Sequence, residues 1–507
     1  MMQIRQIFGW ALFPLLAVSA SAQQLSGGAI PLNVPQSLDQ LLAAGNQSPY
    51  SGSVPSAKLT PGVMEISVDD AIDRGLKFNL GIVLSGQTTA QARASRLKEL
   101  SNMLPQVTGS LRESETKANL LAEGFNLGSA GASLGIGSSV RFSNSDARIS
   151  LTENLFDFHD IENTRAASAN VRAAGYSFNS AKETVTLAVA ASYLLVIAAE
   201  SQVDAANAEL KTAEALHQLA QDRESAGLTP NVDTLRARVE LQVRRQNLIE
   251  ANNNLAKQRI TLLRVIGLPV HQQFKLVSRV PYKPLPVIPE EQALQRALLA
   301  RPDYLALEQQ VKAAELQKRA AEAERLPSIG FSGDYGVLGT HPSNVFPTWT
   351  VGAGVKVPIF QGGKVEADIR QADAVLKQRK AQRDDLKGRI EQDVADAFLD
   401  VSAAAEQVEV ATVTLDYAQQ TLTQSQDRFS AGITNNIEVV QAQEALANAN
   451  QQYISSLYSH NIAKVLLARA LGAAEQTLRQ VLSDDAAPAG SAPAKTDAAM
   501  QENAPAK

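Results

Sequence analysis

Residues 221–227 read QDRESAG and residues 426–432 read QDRFSAG, and the likeness extends far enough on both sides to make the chain an internal duplication. Adding 205 carries Val203, Ala206, Leu210 and Ala213 onto Val408, Ala411, Leu415 and Ala418, with the same 3-4-3 apolar spacing, and carries Gly267 onto Gly472. Upstream the offset becomes 222, taking Ala71 to Ala293 and Leu104-Pro105 to Leu326-Pro327. The change falls in a polar, glycine-rich stretch of the first copy, GFNLGSAGASLGIG, where about 18 extra residues read as an exposed loop tip. Two copies are too few for a solenoid, which needs three or more repeats to bury a continuous core. The duplication therefore predicts a pseudo-symmetric protomer.

Each copy reads as helix, two strands, a very long helix, a tight turn and a return helix. Trp349, Val351, Ala353, Val355, Val357 and Ile359 alternate with Thr350, Gly352, Gly354, Lys356 and Pro358, and Ile329, Phe331, Gly333, Tyr335 and Val337 alternate likewise. The first copy repeats this less cleanly around Ala147, Ile149 and Leu151. By themselves such strands fit either a bilayer-crossing hairpin or an ordinary half-buried sheet. The adjoining helical runs decide: between Gly363 and Ser430 no proline occurs and Gly388 is the one internal glycine, while Asp160 to Ser225 contains only Gly175. At 1.5 Å per residue each run predicts a helix of about 100 Å, too long to bury itself in one compact domain. Alanine at many of the 3-4 positions lets such helices approach closely as a curved wall.

Two hairpins supply four membrane strands, and an open strand edge in lipid leaves backbone groups unpaired at several kcal/mol each. Outer-membrane barrels start at eight strands, so at least two chains must share one barrel; three would give twelve strands. The sequence alone does not choose between these numbers.

The ends of the chain supply an address. Arg5, the apolar run Ile7 to Val18 and Ala20-Ser21-Ala22 before Gln23 read as a secretory signal over residues 1–22, and no later segment is expected to cross a bilayer as a helix. Residues 23–64 form an extended segment, 65–280 the first repeat, 281–290 (PYKPLPVIPE, four prolines) the linker, 291–475 the second repeat, and 484–507 an unstructured tail. The sequence contains no cysteine, which excludes disulfides, thiolate metal sites, a thiol nucleophile and a lipid anchor on cysteine. A net charge of −5 without a dominant basic cluster argues against nucleic acid, and the mixed run Lys377 to Arg389, broken by Asp384 and Asp385, reads as a solvated helix face.

No enzyme emerges. His159, His217, His271, His341 and His460 are scattered without metal-ligand spacing, and Gly362, Gly363 and Lys364 lack the remainder of a phosphate loop. The reading is that of a conduit with no cofactor and no metal, which another protein must energise.

The duplicated frame, the segment VPIFQGGKVEADI (357–369) leading into the long helix and the paired SAG turns resemble the TolC family of outer-membrane efflux and secretion channel proteins over residues 65 to 475. The resemblance implies a mainly α fold with a transmembrane β-barrel: a homotrimer whose four strands per protomer make a 12-stranded barrel, continued by an α-barrel tunnel of long antiparallel helical hairpins across the periplasm. It implies a Gram-negative outer membrane, a periplasmic adaptor (membrane fusion) protein and an inner-membrane transporter as partners, and the exit duct of a tripartite efflux system as the function. A type I protein secretion duct uses the same architecture. A soluble periplasmic adaptor or coiled-coil scaffold should instead show one hairpin flanking a small β-domain.

Gly227 and Gly432 read as left-handed glycines ending long helices. Thr229 is expected to cap the first return helix with Pro230 at its first position, and asparagine and threonine to cap the second. By resemblance, Gly227, Leu228, Thr229, Gly432, Ile433 and Thr434 form the tips where the adaptor docks. Asp233 and Glu438, equivalent under the 205 offset, complement a helix dipole in the bland reading and ring the periplasmic aperture in the sharper one. Gln441 stands where some relatives carry a further acid, and Phe429 and Thr434 where some carry Tyr and Arg.

Overall fold

The computed structural model describes residues 48–54, 61–119, 121, 122, 124, 139–277, 282, 283 and 289–473. In chain order they form β1 (Met64–Ile66), α1 (Val68–Phe78), α2 (Leu80–Ser101), β2 (Gln106–Asn119), β3 (Ser139–Phe156), α3 (Phe158–Ser225), α4 (Asn231–Val265) and β4 (Phe274–Leu276), then α5 (Glu290–Ala300), α6 (Pro302–Ala323), β5 (Ser328–His341), β6 (Asn344–Lys356), α7 (Lys364–Ser430) and α8 (Asn436–Ala470). The duplication is visible element by element. Helices α1 and α5 have 11 residues each, α2 and α6 22, α3 and α7 68 and 67, and α4 and α8 35 each.

The helices start where the local chemistry lets them. Ser67 and Asp70 make a reciprocal capping box for α1, Asn79 caps α2, Asp157 caps α3, and Asn435 caps α8 by accepting from Ile437 N–H. At α4 the expected cap is absent: Pro230 occupies the N-cap position without a side-chain bond, and Thr229 Oγ1 is buried without a partner. Around Thr184 to Ser201, helix α3 is long and apolar enough to cross a bilayer by length and composition alone. That stretch is mostly buried inside the protein, with Val185, Leu187, Val189 and Tyr193 in the core, so it is a core helix segment.

The short parallel pair β1–β4 lies beside this segment, and Tyr193 OH donates to Ile66 O at 3.1 Å. The turn between α5 and α6 is fixed by Arg301, which pairs with Asp303 and Asp393 at 2.7 Å each. Of the proline-rich linker only 282, 283, 289 and 290 are described, and the expected signal, the tail and nearly all of the glycine-rich insertion lie outside the described residues.

The second sheet is antiparallel in the order β2-β3-β5-β6. Residues 120–138 connect β2 to β3, whereas Pro342-Ser343 alone turns β5 into β6, which locates the length difference between the copies. Strand β6 stops at Lys356, short of the predicted Ile359, because its partner β5 begins opposite it at Ser328, just after Pro327.

Candidate functional site

Long helices place two specialised surfaces at opposite ends: the four-stranded ribbon and the paired hairpin tips. In the ribbon, Ile149 lies opposite Tyr335 and Tyr335 opposite Trp349, giving an apolar row across three strands. Leu111, Val351 and Val355 share that face, and Leu111 and Trp349 are 87% and 71% exposed. On the other face Arg148 pairs with Asp146 at 2.7 Å and with Asp334 at 3.6 Å, and Leu338 and Phe346 stand beside them. An apolar face fully offered to the surroundings, backed by a face of internally paired charges, matches a strand ribbon between lipid and water. Strand β2 pairs only with β3 and β6 only with β5, so among the described residues each edge strand keeps one side without a strand partner.

The two tips are built alike. Gly227 and Gly432 have φ of +72° and +76°. Leu228 N–H donates to Arg223 O (2.8 Å) and Gly227 N–H to Glu224 O (2.9 Å); Ile433 N–H donates to Arg428 O and Gly432 N–H to Phe429 O, both at 3.0 Å. This pair of bonds around a left-handed glycine closes the ends of α3 and α7 and leaves Leu228 and Ile433 exposed at the apex. The tip residues predicted from the sequence are thus together at one end of the molecule.

The carboxylates are placed less symmetrically. Asp233 is 6% exposed and pairs with Arg236 at 3.3 Å. Glu438 is more open, accepts from Thr434 Oγ1 and pairs with Arg428 at 3.3 Å. Gln441, the counterpart of Arg236, lies in an apolar groove of about 370 Å³ between the first turns of α4 and α8 with Val232, Leu235, Val239, Ile437 and Val440.

Sequence reasoning passed over the residues that hold the tips to each other. Arg223 Nη1 donates to Phe429 O (2.7 Å) and Ser430 O (3.0 Å), covering the carbonyl end of α7, while its guanidinium stands 5.1 Å from the centre of the Phe429 ring. Asn436 Nδ2 donates to Asp233 O at 2.9 Å. Phe429 is 1% exposed, in a core with Leu216, Ala220, Leu422 and Val439. Glu224 takes a bond from Asn231 Nδ2 at 2.6 Å, and hydrogen bonds from Thr234 and Asn231 hold its carboxyl below the ordinary value. Arg223 and Arg428 both belong to the QDR motif, so the signal was present in the repeat that defined the duplication. Among the described residues no group of His, Asp and Glu is arranged to hold a metal.

An open ribbon of lipid-type strands joined to paired hairpins of this length defines a channel protein of the outer membrane. The profile of the outer membrane efflux protein family matches residues 86–268 and 293–473, one segment per repeat. The chain is 23% identical over 318 residues to the alkaline protease secretion protein AprF of Pseudomonas aeruginosa, covering 62% of this chain and 66% of AprF, a little under two thirds of that relative's length. It is 25% identical over 438 residues to the pyoverdine export outer membrane protein OpmQ of the same species, covering 82% of this chain and 87% of OpmQ. Its fold is that of the Campylobacter jejuni outer membrane channel CmeC, with a TM-score of 0.72 at 17% identity over 88% of this chain and 94% of the other. The chain belongs to the outer membrane efflux protein family, the TolC family of channels.

Proposed function

We propose that three copies of this chain close a 12-stranded barrel and an α-helical tunnel, and that the assembly is the exit duct of a tripartite efflux system. The observation that carries this is the ribbon: a four-stranded sheet with one apolar face and two open edges cannot be left unpaired in lipid, and copies of itself supply matching edges. In this reading a periplasmic adaptor engages Gly227, Leu228, Thr229, Gly432, Ile433 and Thr434, and Asp233, Glu438 and Gln441 surround the periplasmic aperture. Energy comes from an inner-membrane transporter.

The likeness to AprF, named for secretion of a protease, supports a second reading as a type I protein secretion duct. Deleting the gene and scoring survival on a drug panel together with the proteins in the medium separates the two. Efflux predicts sensitised cells with unchanged secretion, and secretion predicts the reverse. A mutant unaltered in both would sink the duct assignment.

A further inference from the structure

The duplication supplies an internal control for buried charge, and one position departs from it. In the first repeat Arg259 of α4 meets Glu200 of α3 at 2.8 Å. Their counterparts at the offset of 205 are Lys464 of α8 and Ala405 of α7, so the cation is kept and its carboxylate is lost. Exposure does not compensate: Arg259 is partly exposed, whereas Lys464 is 3% exposed. Glu406, the next residue of α7, is exposed to solvent instead. An ammonium taken out of water without a counter-charge is costly, and a fold keeps one only where something else balances it.

The surroundings add to the imbalance. His460, one turn earlier on α8 and 1% exposed, stands where the first repeat has Leu255. Its ring lies against Tyr282 of the inter-repeat linker, with centres 4.8 Å apart. Its Nε2 faces Lys283 O at 3.5 Å, and its Nδ1 is buried without a hydrogen-bond partner. Burial and then the Lys464 ammonium push the imidazole below its ordinary value, against the bond to Lys283 O. Burial and then the Lys283 ammonium push Lys464 down to about 8, which leaves it mostly charged at neutral pH. Among the described residues no carboxylate acts on either group. Water would satisfy Nδ1 but would not balance the charge of Lys464.

We propose that Lys464, His460 and Lys283 bind a small inorganic anion of the hydrogen phosphate type, which takes the place that Glu200 fills in the first repeat and ties the linker to α8. With Nε2–H engaged by Lys283 O, His460 Nδ1 accepts from the O–H of the anion, while its charged oxygens accept from the Lys464 ammonium. The same chemistry is available from Glu475, Asp484 and Asp485, the first carboxylates of this chain after α8.

Equilibrium dialysis of the purified full-length protein in detergent against radiolabelled inorganic phosphate at neutral pH tests this, with a large organic anion holding the ionic strength. One phosphate should bind per chain, and raising phosphate about a hundredfold should raise Tm by several degrees. Lys464→Gln should remove both effects. Ala405→Glu, which restores the ion pair of the first repeat, should remove phosphate binding and raise Tm in phosphate-free buffer, and Arg259→Gln should leave binding unchanged. Phosphate uptake seen only after Glu475→Gln, Asp484→Asn and Asp485→Asn are combined, and lost again with Lys464→Gln, would keep the anion site and make the chain's own carboxylate its occupant. No uptake by either protein, or uptake indifferent to Lys464→Gln and Ala405→Glu, would overturn the proposal.

Discussion

The ribbon and the hairpin tips sit at opposite ends of α3 and α7 and are finished by different kinds of bond. At the ribbon, β2 and β6 each keep one side without a strand partner among the described residues. At the tips, the left-handed Gly227 and Gly432 turn the chain at the ends of α3 and α7, and what joins one hairpin to the next is side chains: Arg223, Phe429 and Asn436. Backbone ladders in lipid have no alternative partner, so the ribbon end must assemble once and stay assembled. The contacts between the hairpins at the tips are buried side-chain contacts, with Phe429 1% exposed and Asn436 fully covered.

The contrast predicts its largest effect in the ribbon. Val351→Arg places a charge on the apolar face, at a cost of about 2–4 kcal/mol per chain if it lies near the bilayer midplane. It should abolish recovery of assembled protein from outer-membrane fractions. Thr350→Arg, one residue away on the polar face, should be recovered normally. Equal recovery of the two would mean that the apolar face does not meet lipid.

A smaller effect belongs to the tips. Gly432→Val forces a β-branched residue to φ +76° with its Cβ about 3.4 Å from Arg223 Nη2. The left-handed backbone then costs roughly 1–2 kcal/mol of strain. Assembly should survive, with unchanged mass in detergent, while export in intact cells is lost because the apex no longer presents the docking turn. Loss of assembly instead would make the turn purely structural and erase the distinction between the two ends.

The sequence disclosed the large features because each is written in a long, redundant pattern. The duplication spans hundreds of positions, the absence of breakers dictates α3 and α7, and Gly227 and Gly432 mark their ends. Period-two alternation found the strands but overran β6, since alternation continues through Val357 and Ile359 after the partner strand β5 has ended opposite Lys356. Strands β1 and β4, three residues each, are too short to show a period. The cap assigned to Thr229 failed because Pro230 itself takes the N-cap position, displacing Thr229 from the place where its hydroxyl could reach the first free N–H groups. Arg223 stood inside the defining motif, yet its partner is a backbone carbonyl more than two hundred residues away, which no local pattern encodes.

Assembly is the claim on which the rest depends, and the mass of the wild-type particle extracted from outer membranes, measured by light scattering with the detergent contribution subtracted, tests it most directly. The account predicts three times the mass of the mature chain. A single chain that stays in solution without detergent and does not bind bilayers would contradict it.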